Sequence, residues 1–143
     1  VFTKLYHIEK LSGRKGSIYS FYKADEHAKR VSAFTNFIEQ NGSYQDQVIN
    51  ILKMLRSMSS KTGFSDTFFR LNEGRPGDNI CAFNDDPDAY LRVYCIKITE
   101  KIFIIGNGGP KTTRTWNEDE KLSKAVHELM SVSAVLQHKL NTG

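Results

Sequence analysis

Arg92, Lys97, Lys111 and Arg114 are the residues of this chain whose types and spacing suit chemistry on a phosphate. They fall in one stretch, Ala89 to Trp116, in which two strand-like runs lead to a glycine-rich bend and then to cations. A guanidinium offers a forked pair of donors to phosphate oxygens, and a fixed cation stabilises the charge that builds in a transition state. Glycines let backbone N–H groups approach an anion, and an aromatic ring such as Trp116 can stack on a base. Arg70 and Tyr94 complete the expected RNA-binding set with Trp116. RNA cleavage asks little more of a protein. The substrate's 2′-OH is the nucleophile, so the chain supplies orientation, a proton acceptor, a proton donor and charge stabilisation. The competing reading is a solvated loop, with Arg92 paired to Asp88 or Glu100 and Trp116 packed as core under the last helix.

These residues depend on a sheet for their positions. Leu91, Val93, Cys95 and Lys97 alternate with Arg92, Tyr94, Ile96 and Ile98, so Arg92 and Lys97 project from opposite sides of one strand. Thr99 and Glu100 make a reversal, and Lys101 to Ile105 is an apolar run suited to a central strand. The chain is expected to leave the sheet at Gly106, with Gly106 to Pro110 as the anion-facing bend. Upstream, Val1 to Ile8 and Ser17 to Tyr22 read as a hairpin across Gly13 to Gly16. Apolar residues from Ala24 to Ile38 recur at helical spacing and stop at Asn41 and Gly42; Ser43 is the expected cap of a second helix running to Met58. After a linker at Ser59 to Gly63, strands are expected near Thr67 to Leu71 and Ile80 to Phe83. Asn117 to Glu120 resembles a capping box ahead of a long amphipathic helix from Leu122 to Leu140. The order implies a single α+β domain over residues 1–143: a mostly antiparallel sheet with an N-terminal helical hairpin and a C-terminal helix packed on it, the helices covering one face.

Composition narrows the classes. A chain of 143 residues with 39% hydrophobic and 25% charged residues can bury a core without disulfides or metal. No apolar run is long enough to cross a bilayer, and the first residues lack the pattern of a signal peptide, so a cytoplasmic protein without a membrane partner is expected. The net charge of +4 permits a nucleic-acid partner without demanding one. Cys81 and Cys95 read as reduced, buried thiols rather than a bridge or a catalytic pair. No phosphate-binding loop, dinucleotide fingerprint, HExxH or CxxC motif occurs, and His7, His27, His127 and His138 are scattered. No metal and no cofactor are expected.

The order of a first strand, two helices, an Arg-bearing strand (Leu91-Arg92-Val93-Tyr94) and an apolar strand ending in glycine (Ile102 to Gly106) with Lys111 beyond resembles the RelE/ParE superfamily of type II toxin–antitoxin systems. The resemblance covers about two thirds of the chain. It implies a toxin-like mRNA endoribonuclease, acting on the ribosome and neutralised by a cognate antitoxin. Arg92 would contact the scissile phosphate, Lys111 and Arg114 would be the cations after the last strand, Trp116 would stack a base, and Lys97 would be the acid or base, a role that needs a lowered pKa. The chain departs from that pattern in its opening hairpin, the insertion from Asn72 to Asp88, the two glycines and proline before Lys111, and the long final helix. The alternative is a noncatalytic protein-interaction module, or a non-toxic phage or mobile-element protein of the same fold.

Overall fold

A computed structural model describes residues 2–23, 31–83, 90–111 and 116–142. The chain opens with β1 (Phe2–His7) and β2 (Ser17–Lys23), an antiparallel hairpin as its alternation predicts. Helices α1 (Ala33–Gln40) and α2 (Gln45–Ser57) follow, then β3 (Phe69–Arg70), β4 (Ile80–Phe83), β5 (Leu91–Thr99), β6 (Ile102–Pro110) and the long α3 (Glu120–Thr142). The six strands form one sheet in the order β1-β2-β6-β5-β4-β3.

Three expectations about the architecture are overturned. The helical pair is not N-terminal: the first described helix begins at Ala33, after a complete β-hairpin. Part of the helix expected from Ala24 to Ile38 lies outside the described residues. The helix start follows from Ser32, whose hydroxyl accepts from the Thr35 N–H at 3.2 Å and so satisfies an otherwise unpaired donor of the first turn. The sheet is mixed rather than nearly all antiparallel, because β2 runs parallel to β6 with Ile18 opposite Phe103. Between these two parallel neighbours the chain passes through α1, α2, β3, β4 and β5, more than the crossover length a parallel pair requires. The helices also occupy both faces. Phe34 and Phe37 of α1 and Val48, Ile51 and Leu55 of α2 pack on Ile18, Val93, Cys95, Phe103 and Ile105. Leu122, Ala125, Val126, Leu129 and Val132 of α3 pack on Phe21, Ile80, Tyr94, Ile96 and Ile104 from the other side. Successive strand side chains point to opposite faces, and here both sets are buried, so both faces need a cover.

A few polar contacts tie the layers together. The buried Ser20 hydroxyl donates to the Ile105 carbonyl at 2.7 Å and accepts from the Phe34 N–H at 3.1 Å, joining β2, β6 and the start of α1. The Gln47 side-chain oxygen accepts from the N–H groups of Tyr90 (2.7 Å) and Leu91 (2.8 Å), so α2 caps the start of β5. The second helix begins at Gln45 after a tight turn, Gly42–Tyr44, and its N-cap position is Tyr44 rather than Ser43. The expected linker after it is a wide helical turn, Met58–Thr62. Asp119, within the expected capping box, holds the start of α3 by accepting from the Leu122 N–H at 2.9 Å.

Candidate functional site

The glycine segment belongs to the sheet. β6 continues through Gly106, Asn107, Gly108 and Gly109 to Pro110, with Gly108 opposite Val93 and Gly109 opposite Arg92. Between Val93/Gly108 and Cys95/Ile105 the single residue Tyr94 faces both Gly106 and Asn107, which is a bulge in β6. Glycine is required here by close approach. A Cβ on Gly108 would lie 1.9 Å from the Arg92 carbonyl oxygen, and one on Gly106 would meet Leu129 of α3 at 3.2 Å. The expected exit at Gly106 is therefore corrected: these residues are spent on a strand bulge and on close packing of α3, and the Gly108 N–H already donates to the Asn107 side chain at 2.8 Å.

Of the predicted site residues, Arg70, Arg92 and Tyr94 come together. Arg70 pairs with Ala82, and Ala82 with Tyr94, across β3, β4 and β5, while Arg92 stands two residues along the same face of β5. Glu73, in the turn after β3, joins them. Its Oε1 lies 4.0 Å from Arg92 Nη1 and 3.9 Å from Arg70 Nε. Arg92 is 2% exposed and Tyr94 is fully buried, both on the face that α3 covers. The carboxylate against Arg92 is thus Glu73 rather than the expected Glu100, while Asp88, the other expected partner, lies outside the described residues. Desolvation pushes the Tyr94 phenol up to about 12, opposed by the Arg92 guanidinium beside it. Tyr94 therefore stays neutral at physiological pH. Its hydroxyl has no hydrogen-bond partner of good geometry among the described residues.

The other candidates lie apart from this cluster. Lys97 projects into the α1/α2 side of β5 and is held by the Asp66 carboxylate. Lys111, half-buried just past β6, donates its backbone N–H to the Tyr90 carbonyl at 2.7 Å. Trp116 starts a short turn before α3, packs partly buried against the α3-side core, and meets the His127 ring edge-on at 5.7 Å. Arg114 lies outside the described residues. Arg92 and Lys97 cannot act on one phosphate, since the sheet stands between them. Among the described residues no three His, Cys, Asp or Glu side chains converge to hold a metal ion, and no helix is long and apolar enough to cross a membrane.

Sequence reasoning missed Glu73 because it sits among turn formers, Asn72 to Asn79, and reaches Arg92 only across three strands. The cluster sets two guanidiniums against one carboxylate, with Arg92 buried beside Glu73 and Arg70 exposed at the sheet margin, unlike an open concave anion site. No known protein family, curated protein or solved structure matches the chain.

Proposed function

We propose that the protein is a noncatalytic interaction module of the cytoplasm that binds a protein partner. The observation that carries this reading is Arg92 at 2% exposure, set against Glu73 beneath α3. A cation that neutralises a polynucleotide must reach its phosphates, and this one faces the protein interior. The surface that suits partner binding is the outer edge of β1, which pairs only with β2 among the described residues. The Ile8 N–H donates to the Ile18 carbonyl at 2.8 Å, and bonded pairs recur at every second residue of an antiparallel ladder. The backbone groups of Leu5 and His7 therefore face outward, flanked by the exposed Tyr6 ring, which lies 5.6 Å from Tyr22. Such an edge accepts an extended segment of another chain as an added strand.

A photo-crosslinking residue in place of Tyr6 should capture one protein species in cells, and the same probe at Ile49 on α2 should not. His7→Pro removes an outward donor while sparing the β1–β2 ladder, and it should abolish the capture. Equal capture at both positions, or capture that survives His7→Pro, would refute the edge as the binding surface.

A toxin-like endoribonuclease of the RelE/ParE kind, with an antitoxin as its partner, is the second reading. It is favoured by Arg70, Arg92 and Tyr94 sharing one face of the sheet, and it requires α3 to leave that face. Induced expression in bacteria, with growth followed and mRNA 5′ ends mapped, separates the two. The interaction module predicts no new ends. Growth arrest with new ends, lost in a folded Arg70→Ala/Lys111→Ala variant, would replace it with the nuclease.

A further inference from the structure

Cys81 of β4 and Cys95 of β5 are direct partners in the antiparallel register, and both are free thiols. The Lys97 N–H donates to the Asn79 carbonyl at 3.1 Å. Counting in steps of two from that bonded pair makes Cys81 and Cys95 a hydrogen-bonded pair as well. Such pairs hold their Cα atoms about 5.5 Å apart, within the range of about 4.4–6.8 Å found for disulfides, while their Cβ atoms lie towards the wide end of about 4.5–5.5 Å, so closing a bridge draws the two strands slightly together. Opposed residues of a ladder also point their side chains to the same face. Here both thiols enter the α1/α2 core, at 1% and 0% exposed.

We infer that Cys81 and Cys95 are a redox modification site, a dithiol that a small disulfide oxidant such as glutathione disulfide closes into a cross-strand bridge between β4 and β5. The sheet margin supplies the route in. Among the described residues only the two-residue β3 stands outside β4, and a short outer unit of this kind opens locally at lower cost than the centre of a sheet. Cys81 lies on the strand nearer that margin. Burial pushes the Cys95 thiol well above its ordinary range, which makes it the later of the two to react.

The chemistry balances in two exchanges. Cys81, as the thiolate, attacks one sulfur of glutathione disulfide; the oxidant's S–S bond breaks, a mixed disulfide forms, and the expelled glutathione takes up the proton Cys81 lost. Cys95 then gives up its proton and attacks the Cys81 sulfur, releasing the second glutathione, which accepts that proton. The protein dithiol loses two electrons, and the oxidant leaves as two thiols. The closed bridge pins the outer strands to β5 and, through Asp78, whose carbonyl accepts from Ser133 of α3 at 2.9 Å, steadies the contact between that margin and the last helix.

The test uses the wild-type folded protein, incubated with glutathione disulfide and sampled over time by intact mass and by thiol titration after denaturation. The expected result is joint loss of both thiols as a monomer lighter by two hydrogens, reversed by dithiothreitol, with a thermal midpoint above that of the reduced protein. The inference is overturned if both thiols persist in the folded protein while the urea-unfolded chain reacts. Stable glutathione adducts on each cysteine, a bridge between chains, or a lowered midpoint would overturn it equally.

Discussion

The two faces of the sheet are built on different principles. On the α1/α2 face the fully buried polar groups, Ser20, Asn41 and Ser59, are neutral, and the apolar core has Phe103 at its centre, its ring 4.7 Å from that of Phe64 and 5.2 Å from that of Phe69. On the α3 face an apolar core of similar reach also encloses Arg92, Tyr94 and the buried Ser133. Apolar surface is satisfied by contact from any direction, so the first face asks chiefly for volume and shape. A buried charge or phenol is satisfied only by particular neighbours in particular places. The α1/α2 face should therefore carry more of the stability, whereas the α3 face should carry its dependence on charge and pH.

Truncating the first face should give the largest effect. Phe103→Ala is expected to cost about 3–5 kcal/mol in urea unfolding, since it removes a fully buried ring and leaves a cavity among other rings. On the second face, Arg92→Ala should cost about 3 kcal/mol by leaving Glu73 without its buried cation, and Arg92→Met/Glu73→Gln should recover part of that loss. A double variant no better than Arg92→Ala would show that the site behaves as ordinary packing and would erase the contrast between the faces.

The smallest effect sharpens the comparison by pH. Tyr94 has its folded pKa raised from 10.0 to about 12. The unfolded chain therefore loses this proton first, near pH 10. The stabilising effect of the protonated phenol is complete below pH 10 and is lost as pH rises towards 12. The loss across that window is about 2–3 kcal/mol. Urea midpoints measured from pH 9 to pH 11.5 should fall more steeply for the wild type than for Tyr94→Phe. Equal slopes would mean that the phenol titrates alike in the folded and unfolded chains.

Much of this organisation was legible in the sequence because it is local. The alternation from Leu91 to Ile98 assigned each residue of β5 to a face, and the register agrees, with Lys97 and Arg92 on opposite sides. The hairpin at the start, the strand Ile80–Phe83 and the apolar stripe of α3 were read from the same short-range periodicities. The glycine segment was misread because a Gly-rich run has one appearance in a loop and in a crowded strand. Only the neighbours, the Arg92 carbonyl on one strand and Leu129 on the last helix, distinguish them.

The sequence alone determined which segments extend, which coil into helices, and which side chains share a strand face, since those follow from spacings of two and of three to four residues. Only the tertiary structure decided that β2 runs beside β6, that the helices divide between the two faces, that Glu73 meets Arg92, and that Cys81 stands opposite Cys95. Each of these joins segments far apart along the chain or fixes the register between strands. Such pairings are chosen by the joint packing of both sheet faces, which no single stretch of residues encodes.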